Sequence, residues 1–194
     1  FICPIASLRA DPISGVLTED TTWTGECIVE GTVEIPAGIV LTIESGTIVR
    51  MKSQASLLVR GQLLANGTTD LPIRFTREIS GVRWKQILFI EADDSRLSHC
   101  IIEYADGQGD HKDYYDNDCD PDTPFPPRTY HEVVTVLAGH IELEGCTFQN
   151  LGGSNEGDAI AIISDDPQLP GPASAHINHC QFLSIGQGIH TRFS

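Results

Sequence analysis

Residues 31–76 read GTVEIPAGIVLTIESGTIVRMKSQASLLVRGQLLANGTTDLPIRFT, a string of very short apolar runs, each closed by glycine, proline or asparagine. Val33 and Ile35 come first, then Leu41 and Ile43, Ile48 and Val49, Leu57 to Val59, Leu63 and Leu64, and Ile73 and Phe75. Runs of roughly 3–6 residues suit strands and are too short for helices. Turn residues recur at Gly31, Pro36 to Gly38, Gly46, Gly61 and Asn66-Gly67. Apolar residues alternate with Glu34, Thr42 and Arg74, the pattern of a sheet with one buried face and a wet outer surface. The spacing is too tight for a sandwich and fits a solenoid with two or three short strands per coil.

The rhythm continues beyond this stretch. Trp84, Ile87, Phe89, Leu97, Cys100 and Ile102 form a further coil, with a turn at Asp93 to Ser95. It stops between Asp106 and His131, where Pro121, Pro124, Pro126 and Pro127 accumulate and apolar periodicity vanishes. A gap of this length within a stack is characteristically a functional or disordered loop. The pattern resumes with Val133 to Val136, Ile141, Leu143, Cys146 and Phe148, then Ala159 to Ile163, then Ile177, Cys180, Phe182, Ile185 and Ile189. Cys146 and Cys180 lie 34 residues apart. Subtracting an inserted loop of roughly ten leaves a coil of about 24, and the longer Cys100–Cys146 interval agrees once the 106–131 insertion is removed.

Residues 31–49, 58–68 and 72–76 resemble the N-terminal coils of bacterial secreted right-handed parallel β-helix proteins, the pectate-lyase-like solenoids. Trp84 to Ile87 and Ser95 to Ala105 look like the next coil of that family. The resemblance covers Gly31 to Ala105 well and Val133 to Arg192 loosely. It implies an all-β, single-stranded right-handed parallel β-helix of about six to seven coils, one domain over 1–194. Residues 1–26 would be an N-terminal cap, a short helix or strand over the first coil, and 106–131 a long acidic insertion after the fourth. It is nearly silent on function, because the family spans polysaccharide lyases, glycosidases, adhesins and proteins of no known activity. The pattern runs on to Ser194, which is compatible with a piece of a longer chain.

A formal net charge of −15 over 194 residues argues against nucleic acid, whose binding relies on basic patches. No apolar run approaches the roughly 20 residues of a membrane-spanning helix. Composition and cysteines lean towards a secreted or cell-surface location, and the resemblance implies a bacterial one. Cys3 and Cys27 share the N-terminal segment and are the candidate disulfide. A bridge there would close a loop of roughly 24 residues, worth about 3 kcal/mol by loop entropy. Cys100, Cys146 and Cys180 each have an apolar residue two places on, so three thiols are expected to face inward as small hydrophobes. No CxxC or HxxxH spacing points to zinc. Cys119 is left over.

Chemistry concentrates in the insertion, where seven aspartates between Asp106 and Asp122 face only Lys112 and Arg128. Asp113, Asp116, Asp118, Asp120 and Asp122 are the candidate metal ligands. Alternate positions in a curled loop can aim hard oxygens at one centre, which selects Ca²⁺. The spacing departs from an EF-hand at Pro121 and Glu132, and a solvated acidic loop is the competing reading. Tyr114, Tyr115 and His111 are candidate glycan-binding residues, although the rings equally suit packing on the coil wall. Asp93-Asp94 and Asp165-Asp166 are adjacent pairs in turn contexts, a weak sign of paired acids. Arg74, Arg83, Lys112 and His111 could supply a lyase base, but no motif orders them. These features predict a non-catalytic extracellular β-helix module that binds Ca²⁺, with a glycan or protein partner. The alternative is a polysaccharide lyase or glycoside hydrolase with its site beside the insertion.

Overall fold

The computed structural model describes residues 11–107, 109–110, 129–130, 132–152, 159–163, 171–183 and 188–192. Turn residues interrupt the apolar runs every few positions, so the chain forms short strands and, among the described residues, no helix. In order these are β1 (Ile13–Val16), β2 (Thr21–Trp23), β3 (Glu26–Ile35), β4 (Val40–Glu44), β5 (Ile48–Met51), β6 (Ser56–Val59) and β7 (Gln62–Asn66). Then come β8 (Ile73–Arg77), β9 (Ile87–Phe89), β10 (Ala92–Ser98), β11 (Cys100–Glu103), β12 (Gly109–Asp110), β13 (Thr129–Tyr130) and β14 (Val134–Val136). The last are β15 (Gly139–Glu144), β16 (Thr147–Gln149), β17 (Ile160–Ile163), β18 (Ala173–Asn178), β19 (Gln181–Leu183) and β20 (Ile189–Arg192).

The strands recur in threes. One curled sheet stacks β2, β4, β7, β10, β15 and β18, and the other runs β19-β16-β11-β8-β5-β3-β6-β9-β14-β17-β20 with β1 beside β3. The ten-residue β3 joins the two halves of the larger sheet, because Glu26 to Val29 pair with β5 and Thr32 to Ile35 pair with β6. Each strand therefore pairs in parallel with its counterpart in the next triplet, giving six rungs and three walls among the described residues. The exception is the antiparallel pair β12–β13, which sets Gly109 opposite Tyr130 and Asp110 opposite Thr129. It closes the foot of the insertion, which lies within the fourth rung, between β11 and β14. The described part of the N-terminal segment contributes strands: β1 lies parallel to β3, and Ile13 packs against the core.

Alternation places the core as expected. Val33, Ile35, Leu41, Ile43, Ile73 and Phe75 are fully buried, while Glu34, Thr42 and Arg74 reach outward. Inward columns run from rung to rung, as in Cys27, Val49, Phe75, Ile102, Phe148 and Phe182, where the last two rings stack at 5.2 Å. One wall departs from the wet-outer-face expectation. Its outward Leu58, Leu88, Ile90, Leu137, Ala161 and Ile163 form a second buried apolar cluster. Strands of this wall, such as Ser56–Val59 and Ile160–Ile163, are buried at every position, as befits strands covered on both faces.

Candidate functional site

The outer face of the six-stranded sheet carries the densest cluster of chemically competent side chains among the described residues. Parallel register sets it up. Arg96 lies opposite Glu142 and Glu142 opposite His176; on the next column, His140 lies opposite Ser174. Residues two apart on a strand share a face, so His140 and Glu142 point the same way from β15. One donor atom each from His140, Glu142 and His176 lies within 4.8 Å of the other two. The two imidazoles meet edge to face, with centroids 5.3 Å apart. His140 Nδ1 and Ser174 Oγ are 2.9 Å apart, and Ser174 Oγ also donates to Gly139 O at 3.4 Å. A hydroxyl that gives its proton to a carbonyl accepts from the ring, which places the His140 proton on Nδ1 and leaves Nε2 bare. Arg96 Nε approaches Glu142 Oε2 at 3.8 Å, a loose exposed pair.

An open recess adjoins this triad, lined by Gln62, Asp93, Asp94, His140, Pro172 and Ser174. The register of β10 shifts between Ala92 and Ser95, and this bulge turns Asp93 and Asp94 outward. Ser95 anchors it, donating to Asp93 O at 2.9 Å and accepting from Leu63 N at 3.0 Å. Gly139 packs so closely on Ala92 that a Cβ there would strike the Ala92 carbonyl oxygen. Of the adjacent acid pairs expected from sequence, Asp93-Asp94 thus reaches a recess. Asp165-Asp166 lies outside the described residues.

A second histidine cluster stands at the neighbouring corner. His99, Gly145 and His179 all take left-handed backbone conformations immediately before Cys100, Cys146 and Cys180. His179 Nδ1 donates to Glu144 Oε1 at 2.9 Å, and that hydrogen bond chiefly holds the Glu144 carboxyl below its usual range. With His140 and His176, this brings four of the seven histidines onto the last three rungs of one side.

Behind the corner the cysteines do what their pattern implies. Cys100 and Cys146 are buried and Cys180 is partly so, all as free thiols. Each donates to a carbonyl of the preceding rung: Cys100 to Ala65, Cys146 to Leu97 at 3.3 Å, Cys180 to Leu143. Thr47 continues the column, donating to Trp23 O at 3.4 Å. Its hydrogen bond with Cys100 and its burial push the Cys146 thiol up to about 12. The Cys180 thiol is pushed up in turn, chiefly by its hydrogen bond with Cys146.

Near the insertion lies a buried acid. Glu103 is 3% exposed, accepts from Arg74 Nη2 at 2.6 Å and from Gln149 Nε2 at 2.7 Å, and its own carbonyl accepts from Trp84 Nε1 at 2.8 Å. Burial alone would raise its carboxyl, but hydrogen bonds from Arg74, Gln149 and Thr76 outweigh that and hold it low. Arg83 donates to the carbonyls of Ala105 and Asn150. Both arginines considered as lyase bases are thus engaged in structural contacts.

The ligands expected from sequence fare differently. Asp113, Asp116, Asp118, Asp120, Asp122, Tyr114, Tyr115 and His111 lie outside the described residues, as do Cys3 and Cys119. The expected Cys3–Cys27 bridge therefore has only one end among the described residues: Cys27 is a buried thiol, with Sγ donating to Thr24 O at 3.8 Å. Burial raises it further from reactivity. Short metal-ligand spacings in the sequence do not reveal the His140–Glu142–His176 triad, because His176 arrives from the next rung. The signal was present: the 34-residue interval between Cys146 and Cys180 also carries Glu142 onto His176.

No protein-family model, curated protein or solved structure matches the chain. The class defined by the fold itself is an all-β protein of stacked parallel strands in two curled sheets, compatible with a parallel β-helix.

Proposed function

We propose that this chain is a non-catalytic module of the bacterial cell exterior, built as a single right-handed parallel β-helix, that binds Ca²⁺ in its acidic insertion and presents a glycan or protein ligand surface. The right hand is the one that parallel crossover connections overwhelmingly take. The observation that carries the calcium reading is the β12–β13 pair. By joining residues 109–110 to 129–130 it closes the segment containing Asp113, Asp116, Asp118, Asp120 and Asp122 into a loop. Tying the ends lowers the entropy lost when several carboxylates gather on one ion.

Charge bookkeeping supports the same reading. Cations of the walls are drawn into pairs with acids one rung away: Arg50 with Glu26 at 2.7 Å, Lys52 with Glu30 at 3.0 Å, Arg74 with Glu103 at 2.6 Å. The insertion's seven aspartates meet only Lys112 and Arg128 within it, and a divalent cation relieves their mutual repulsion. The ligand surface is assigned to the polar recess beside Asp93, Asp94 and His140. The test is thermal unfolding with EDTA and with Ca²⁺ restored. Chelation is expected to lower the melting temperature and calcium to recover it; identical melts would remove the calcium claim.

A further inference from the structure

We propose that His140, Glu142 and His176 form a second cation site, selective for a divalent transition metal of the zinc class and independent of calcium. Two imidazole nitrogens and one carboxylate oxygen are the donors that borderline metals take and that Ca²⁺ avoids. The donors lie within 4.8 Å of one another. Tetrahedral bonding at 2.0–2.1 Å needs them roughly 3.3 Å apart. The remaining closure falls to rotation of the exposed Glu142 and His176 side chains towards the half-exposed His140. The backbone needs no adjustment, because parallel register already sets Glu142 opposite His176.

The surroundings favour an ion over chance adjacency. Ser174 orients His140 through Nδ1, leaving Nε2 as the ligand nitrogen; such a supporting hydrogen bond usually accompanies metal-binding histidines. Arg96 opposes the ion, but at 3.8 Å from Glu142 Oε2 it holds the carboxylate loosely. Three protein donors leave further coordination positions towards solvent and the recess lined by Asp93, Asp94 and Gln62. An incoming ligand could bind the metal there directly.

The experiment is titration of the whole chain with Zn²⁺ by calorimetry, paralleled by Co²⁺ for its visible absorption, in saturating Ca²⁺. One equivalent is expected to bind despite the calcium, with Co²⁺ giving the intense bands of a tetrahedral nitrogen–oxygen site. His140→Ala and His176→Ala should each abolish that equivalent while leaving the melting temperature of the metal-free protein unchanged. Ser174→Ala should weaken binding about tenfold. Arg96→Gln should tighten it roughly two- to fivefold, the worth of an exposed ion pair. Asp116→Asn with Asp118→Asn should leave the zinc equivalent intact, which separates this site from the calcium reading. Absence of zinc uptake, or uptake unchanged by His140→Ala and His176→Ala, would overturn the proposal.

Discussion

Glu103 shows how much a single residue can carry in this fold. Its carboxylate is buried yet ionised, held by Arg74, Gln149 and Thr76 from neighbouring rungs. Glu103→Gln removes the charge from that net, at an expected cost of about 1–2 kcal/mol, the lower part of the range for charged hydrogen bonds because Arg74 stays half in water. The sign with pH follows. The folded group titrates below its unfolded value of about 4.3, so its stabilisation is complete above that value and is lost as pH falls through the folded one. The melting-temperature gap between the wild type and Glu103→Gln should therefore be open at pH 7 and narrow as the pH falls below the unfolded value of about 4.3. The buried thiols make a complementary prediction. Cys146, pushed up to about 12, supplies no thiolate at neutral pH, and Cys100 is enclosed beside it, out of reach of reagents. Both should resist a disulfide reagent in the folded protein and react fully in denaturant; fast native labelling of Cys146 would contradict the column.

Elements here are short because corners are frequent, and the corners depend on a few residues. Gly61 is fully enclosed, and a Cβ on it would collide with the carbonyl oxygens of Pro36 and Ile39 on the preceding rung. Gly25 also sits at a corner, at φ +70°, but with open space around it. Gly61→Ala should therefore cost about 2–4 kcal/mol, whereas Gly25→Ala should cost about 1 kcal/mol, the left-handed backbone penalty alone. Equal costs in denaturant unfolding would refute the close-approach account. Strands and core alternation were legible in the sequence at this scale, since each apolar run between turns became a strand with its alternate residues buried. The run Leu57-Leu58-Val59 was less so. It lacks alternation because its wall is buried on both sides, and a count of apolar residues does not reveal what lies outside a sheet.

Across the whole molecule, the parallel stack converts sequence intervals into neighbours. Residues 34 apart meet on adjacent rungs, as His140 meets Ser174 and Phe148 meets Phe182. This is why an all-β stack of short parallel strands could be read from turns and cysteine intervals, and why the histidine face could not be read from local spacing. His140 and Glu142 are unremarkable alternate residues on one strand until His176 is brought alongside by register. Direction along a strand is likewise set by register and not by location in the chain: Cys27 points into the core column above Val49. The molecule that results is a rigid parallel stack. Several wall cations pair with acids across rungs, and a dense run of aspartates falls in the insertion whose ends β12 and β13 join. Thermal unfolding of the full chain in EDTA and in excess Ca²⁺ tests that account most directly. Calcium at about 100 times its dissociation constant adds about 2.7 kcal/mol, which predicts a melting temperature higher by roughly 5–10 °C for a chain of this size. Superimposable melts in the two conditions would contradict it.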